Sequence, residues 1–124
     1  MTAFVNVRAE DFTGLAHRDT TVIRASLRGT ADFAAIASLE SVLAQIHEEA
    51  IRSPTHEVVV DLKQLEFMNS SCFKMFVTWI SEVLDLDEGK QYRIRLVSDP
   101  GMHWQKRSLH SLQCFAVDLI SIDT

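Results

Sequence analysis

A chain of 124 residues has room for one domain with its own core, and 47% hydrophobic against 23% charged residues is an ordinary globular balance. The net charge of −5, with no basic run, argues against nucleic acid or an anionic membrane surface as partner. No apolar run approaches the ~20 residues a spanning helix needs. MTAFVNVRAEDF has no basic segment before an apolar one, so no secretory leader is expected and the chain reads as cytoplasmic.

In chain order, residues 4–9 alternate apolar and polar as a half-exposed strand does. Residues 10–19 read as irregular, with Gly14 as the turn residue, and residues 20–27 alternate again up to Arg28-Gly29. The two alternating stretches predict an antiparallel hairpin. A helix follows, with Phe33, Ile36, Leu39, Val42, Leu43 and Ile46 at helical spacing and Thr30 or Asp32 as N-cap. Ser53-Pro54-Thr55 closes it.

Val58, Val59 and Val60 form a β-branched run typical of a strand buried on both faces, and Asp61 is expected to end it. Leu62, Leu65, Phe67 and Met68 lead to a polar knot, Asn69-Ser70-Ser71. Beyond the knot the period becomes helical, through Cys72, Phe73, Phe76, Trp79, Ile80, Val83 and Leu84. Residues 85–90 form a polar turn, 92–97 alternate as a strand, and 98–101 are a loop. Residues 103–115 make a modest amphipathic helix carrying Trp104, Leu109, Leu112 and Phe115, and 117–122 alternate as an edge strand. The order is β-β-α-β-α-β-α-β: a single α/β domain over residues 1–124, a sandwich of three to four helices on a mixed sheet of about five strands.

The stretch VVVDLKQLEFMNSSCFKMF resembles the signature of STAS domains, the anti-sigma-factor-antagonist family. Its pattern is a buried strand ending in Asp, a hydrophobic pair, then Asp-Ser-Ser/Thr-Gly opening a helix. Here Asn69 stands for the Asp, Ser70 and Ser71 match the serines, and Cys72 replaces the Gly. Gly29-Thr30-Ala31-Asp32, before the first helix, is similar to the family's Gly-x-Leu-Asp in the same order. The resemblance implies a non-enzymatic binding protein of the antagonist type that switches partners through reversible serine phosphorylation. It places the phosphate on Ser71, with Ser70 as second choice. The implied partners are a serine-kinase-type anti-sigma factor and a phosphatase, and a homodimer is compatible with it. The expected binding surface is Met68, Asn69, Ser70, Ser71, Cys72 and Lys74 with the nearby Gly29, Thr30 and Asp32.

Read without the resemblance, Ser70 and Ser71 are helix caps, a role Ser performs well. Cys72, close to a helix N-terminus, has a second reading as a thiol of lowered pKa in a small thiol-dependent enzyme. A constitutive STAS scaffold without phosphorylation is the remaining alternative. Cys72 and Cys114 are both expected to be reduced and buried. His103 and His110, seven apart, can share a helix face, yet the five histidines form no metal signature, and no cofactor is expected. No phosphate loop and no nucleophile elbow is present. Asp32 and Asp61 can be a carboxylate pair, although cap and strand-end roles also explain them. Trp79 and Trp104 read as core or partner-facing residues.

Overall fold

A computed structural model describes residues 2–124. Six strands form one sheet in sequence order: β1 (Val5–Arg8), β2 (Phe12–Asp19), β3 (Val22–Ala31), β4 (Glu57–Met68), β5 (Arg93–Val97) and β6 (Ile120–Asp123). The first three strands are antiparallel neighbours, and β3 to β6 run parallel. Each parallel step needs a crossover, supplied in turn by α1 (Ile36–Arg52), α2 (Ser70–Leu84) and α3 (His103–Phe115).

Register puts the apolar side chains in rows. Ile23, Val58, Ile94 and Ile120 are successive partners across four strands, and Ala25, Val60, Leu96 and Ile122 form the next row. The helices bury Leu39, Val42, Leu43 and Ile46 from α1, Phe76, Trp79, Ile80 and Val83 from α2, and Leu109 and Leu112 from α3 in one core with these rows. The other face of the sheet carries Leu15, His17, Arg24, Ser26, Asp61 and Val97, which line a cleft of about 450 Å³. Val59 belongs to this second face. It is buried, yet it stands outside the core and has Arg24 and Arg95 as its cross-strand neighbours. The valine run therefore contributes to two different environments.

Several expectations are corrected. Residues 10–19 are not irregular: Phe12–Asp19 is a full strand, which raises the count to six. Gly14 lies inside that strand on the core side, where a Cβ would come within 2.6 Å of Val42 Cγ2. It is glycine so that α1 can approach the sheet, and the hairpin turn lies instead at Thr20, with φ of 56°. Nor does Asp61 end its strand. β4 continues to Met68, held to β3 through two register shifts, and Asp61 Oδ1 accepts the Lys63 amide at 2.9 Å beside the first shift. Gln105 of α3, fully buried, secures this irregular half: its Nε2 donates to the Leu62 and Leu65 carbonyls at 2.5 and 3.1 Å.

Arg18 ties the hairpin to the end of α1. Its Nε donates to Glu49 Oε2 at 2.6 Å and Nη2 to the Glu49 carbonyl at 3.1 Å, while Nη1 reaches the Thr20 and Pro54 carbonyls. A cation there also satisfies helix-terminal carbonyls. In the core, Trp79 Nε1 donates to the Tyr92 hydroxyl at 2.7 Å, and that hydroxyl lies 2.7 Å from His47 Nδ1. Cys114 is exposed, not buried as expected, because the buried side of α3 runs through Gln105, Leu109 and Leu112.

Candidate functional site at the start of helix α2

The end of β3 and the end of β4 lie side by side, because Thr30 pairs with Phe67 and Ala31 with Met68. The Asn69 amide then donates to the Ala31 carbonyl at 2.9 Å. The two sequence stretches singled out above, Gly29–Asp32 and Met68–Cys72, therefore meet at one edge of the molecule. Gly29 makes the meeting possible. Its φ is 93°, and a Cβ on it would stand 2.0 Å from the Asp11 carbonyl oxygen, which accepts the Thr30 amide at 2.7 Å. Only glycine fits a left-handed backbone packed that closely.

Two of the three crossover helices, α1 and α2, start here. Asp32 caps a single 3₁₀ turn, Phe33–Ala35, that leads into α1, and its Oδ1 accepts the Ala34 amide at 3.0 Å. Asn69 caps α2: its Oδ1 accepts the Cys72 amide at 2.9 Å. The cap is therefore Asn69 and neither serine. Ser70 and Ser71 occupy the first two helical positions, and both are exposed. A helix start carries partial positive charge and unpaired amides, so an anion on either hydroxyl is favoured there. Lys74, exposed one turn on, is three residues from Ser71 and four from Ser70. Those spacings put it on the serines' side of the helix.

Cys72 behaves differently from its neighbours. It is fully buried, with Sγ 3.7 Å from the Asp32 carbonyl oxygen. Burial pushes the thiol pKa up, and the Asp32 carboxylate adds to that rise. The thiol is thus the opposite of an activated, accessible thiolate, and the reading of Cys72 as a nucleophile loses its chemical basis. For the same reason its side chain does not reach the surface a partner would meet. The Cys72 side chain belongs to the core.

Two aromatic residues complete the surface, and sequence reasoning missed both. Phe33 was expected on the buried stripe of α1, yet it is 84% exposed, because it sits in the 3₁₀ turn before the α-helical register begins at Ile36. Phe67, next to the knot, is 48% exposed. The signal for Phe33 was its place directly after a cap residue, where the chain has not yet turned into the helix. Asp32 and Asp61 are not brought together: Asp61 pairs with Ser26, well back along β3. Trp79 is core, and Trp104 is half-buried against it.

No protein-family model matches the chain, and neither does any curated protein. Among solved structures, the fold is similar to that of an anti-sigma factor antagonist from Mycobacterium paratuberculosis. The TM-score is 0.68 at 17% identity, over 90% of this chain and 85% of that one. It is also similar to the anti-sigma factor antagonist SpoIIAA in its unphosphorylated form, with a TM-score of 0.58 at 15% identity over 88% of this chain and 86% of that one. The phosphorylated form of SpoIIAA, a Bacillus cell fate determinant, gives 0.56 at 13% identity over 88% and 89%. The chain has the STAS fold of the anti-sigma factor antagonists.

Proposed function

We propose that this chain is a non-enzymatic regulatory binding protein of the anti-sigma factor antagonist type. It acts in the bacterial cytoplasm by partner switching at the start of α2. Its partners are a serine-kinase-type anti-sigma factor, or a related regulator, and a phosphatase. Phosphate is carried by Ser71, with Ser70 as the second choice. The observation that carries this reading is the arrangement of the helix start. Asn69 takes the cap, which leaves Ser70 and Ser71 exposed at the edge where the segments carrying the exposed Phe33 and Phe67 also end.

In the unmodified state the docking surface is small hydroxyls and aromatic faces, with Met68, Asn69, Lys74, Gly29, Thr30 and Asp32 around them. Aromatic anchors of this kind dominate protein interfaces energetically. Phosphorylation adds about −1.5 to −2 charges and three acceptor oxygens. Lys74 and the helix amides stabilise the group on the free protein, while a partner seated on the phenylalanines has to desolvate it. A difference of about 3 kcal/mol between the two states changes affinity over a hundredfold.

Asn69 favours one second reading, a constitutive scaffold. A neutral cap supplies no carboxylate to orient the hydroxyl in a kinase, so docking without modification is the outcome if the serines stay unphosphorylated. Intact-mass and phosphosite analysis of the protein from its native cells, beside Ser70→Ala and Ser71→Ala variants, separates the two. One phosphate lost only in Ser71→Ala supports the switch. None under any growth condition leaves the scaffold.

A further inference from the structure

Helix α3 carries chemistry that the α2 site does not use. Cys114 lies on its solvent side, although Cys is among the residue types most often fully buried. One turn earlier is His110, also exposed, and its Nε2 stands 3.5 Å from Cys114 Sγ. Positions four apart on a helix share a face.

The contact is a hydrogen bond between thiol and imidazole, and its length also suits two ligands of one metal ion. Zinc holds a thiolate sulfur at about 2.3 Å and an imidazole nitrogen at about 2.0–2.1 Å, in tetrahedral geometry. Those bond lengths at a tetrahedral angle put sulfur and nitrogen about 3.6 Å apart. The pair is therefore already at the bite of a chelate, with the helix backbone in place.

One copy supplies only two ligands. Among the described residues no three His, Cys, Asp or Glu side chains converge to hold a metal ion. Structural zinc takes four ligands, commonly two thiolates and two imidazoles. An isologous twofold contact duplicates every group it contains, so a second copy supplies what the first lacks. Directly after Cys114, Phe115 and Val117 are 48% and 68% exposed, and they provide apolar surface for that contact.

We propose that His110 and Cys114 form half of a zinc site, which the same pair from a second copy of this chain completes. On binding, each thiol releases its proton to solvent and each imidazole binds as the neutral ring. Two thiolates balance the charge of the ion.

The test is a cobalt(II) titration of the full chain under a non-thiol reductant that removes disulfide dimers, followed by absorption and by sedimentation. The expected result is a thiolate-to-cobalt charge-transfer band with tetrahedral visible bands. It should saturate at one metal per two chains, with dimerisation in step and displacement by zinc. His110→Ala and Cys114→Ser should each lose both signals. These side chains are exposed, so the variants should keep the wild-type unfolding midpoint. No thiolate band, a band that survives in Cys114→Ser, or one metal per chain without dimerisation would overturn the proposal.

Discussion

At the scale of single residues, the α2 site depends on two backbone solutions that can each be removed by one substitution. Gly29→Ala puts a methyl group against the Asp11 carbonyl in a left-handed backbone. It should destabilise the fold by at least about 2 kcal/mol, read as a lower urea midpoint at unchanged slope. Asn69→Ala removes the acceptor for the Cys72 amide and should cost about 1 kcal/mol in the same measurement. The Asn-Ser-Ser knot and the Gly-x-x-Asp stretch were legible in the sequence because cap and turn residues act locally. Their meeting was implied only by the family resemblance, because it depends on the register of β3 against β4, which no local pattern carries. Phe33 was misread because a helical period was extended one turn too far. Cys72 and Cys114 were both placed inside on residue type and apolar helical context, and only the helix rotation separates the buried thiol from the exposed one.

At the scale of elements, α1, α2 and the residue just before β5 are joined by the hydrogen-bonded chain His47–Tyr92–Trp79. Trp79 donates to the Tyr92 oxygen, and the Tyr92 hydroxyl donates in turn to His47 Nδ1 when that nitrogen carries no proton. Burial lowers the His47 pKa, opposed in part by the negative charge of Glu82. The unfolded chain takes up this proton near the ordinary value of 6.5, whereas the folded chain does so only at lower pH. Between those points the unfolded state holds more protons, so stability falls as pH drops below 6.5. The urea midpoint should be lower at pH 5.5 than at pH 7.5, and His47→Gln should shrink that difference. An unchanged difference in the variant would place the acid sensitivity elsewhere. Helices α1 and α2 were readable from their apolar periods. Strand β2 was not, since Gly14 is small to let α1 pack against it and Ala16 beyond it is a small buried residue, and small residues carry no strand pattern.

At the scale of the whole molecule, a one-sided sheet sends two helix starts to the same edge, and the function proposed for the chain belongs to that edge. The parallel half of the sheet was foreseeable from the alternation of strand and helix patterns, whereas the helix-free face was not, because the valine run reads as a strand buried on both faces and Val59 is indeed buried although it stands outside the core. Phe33→Ala and Phe67→Ala should each weaken partner binding about tenfold, while leaving the unfolding midpoint close to wild type, since both rings are largely outside the core.

The central claim is that a charge at the start of α2 controls docking. The most direct test compares the affinity of the cognate partner for the unmodified chain and for the chain phosphorylated at Ser71, measured by titration calorimetry at one salt concentration. The account predicts a loss of at least about a hundredfold on phosphorylation. Equal affinities for the two forms would contradict it.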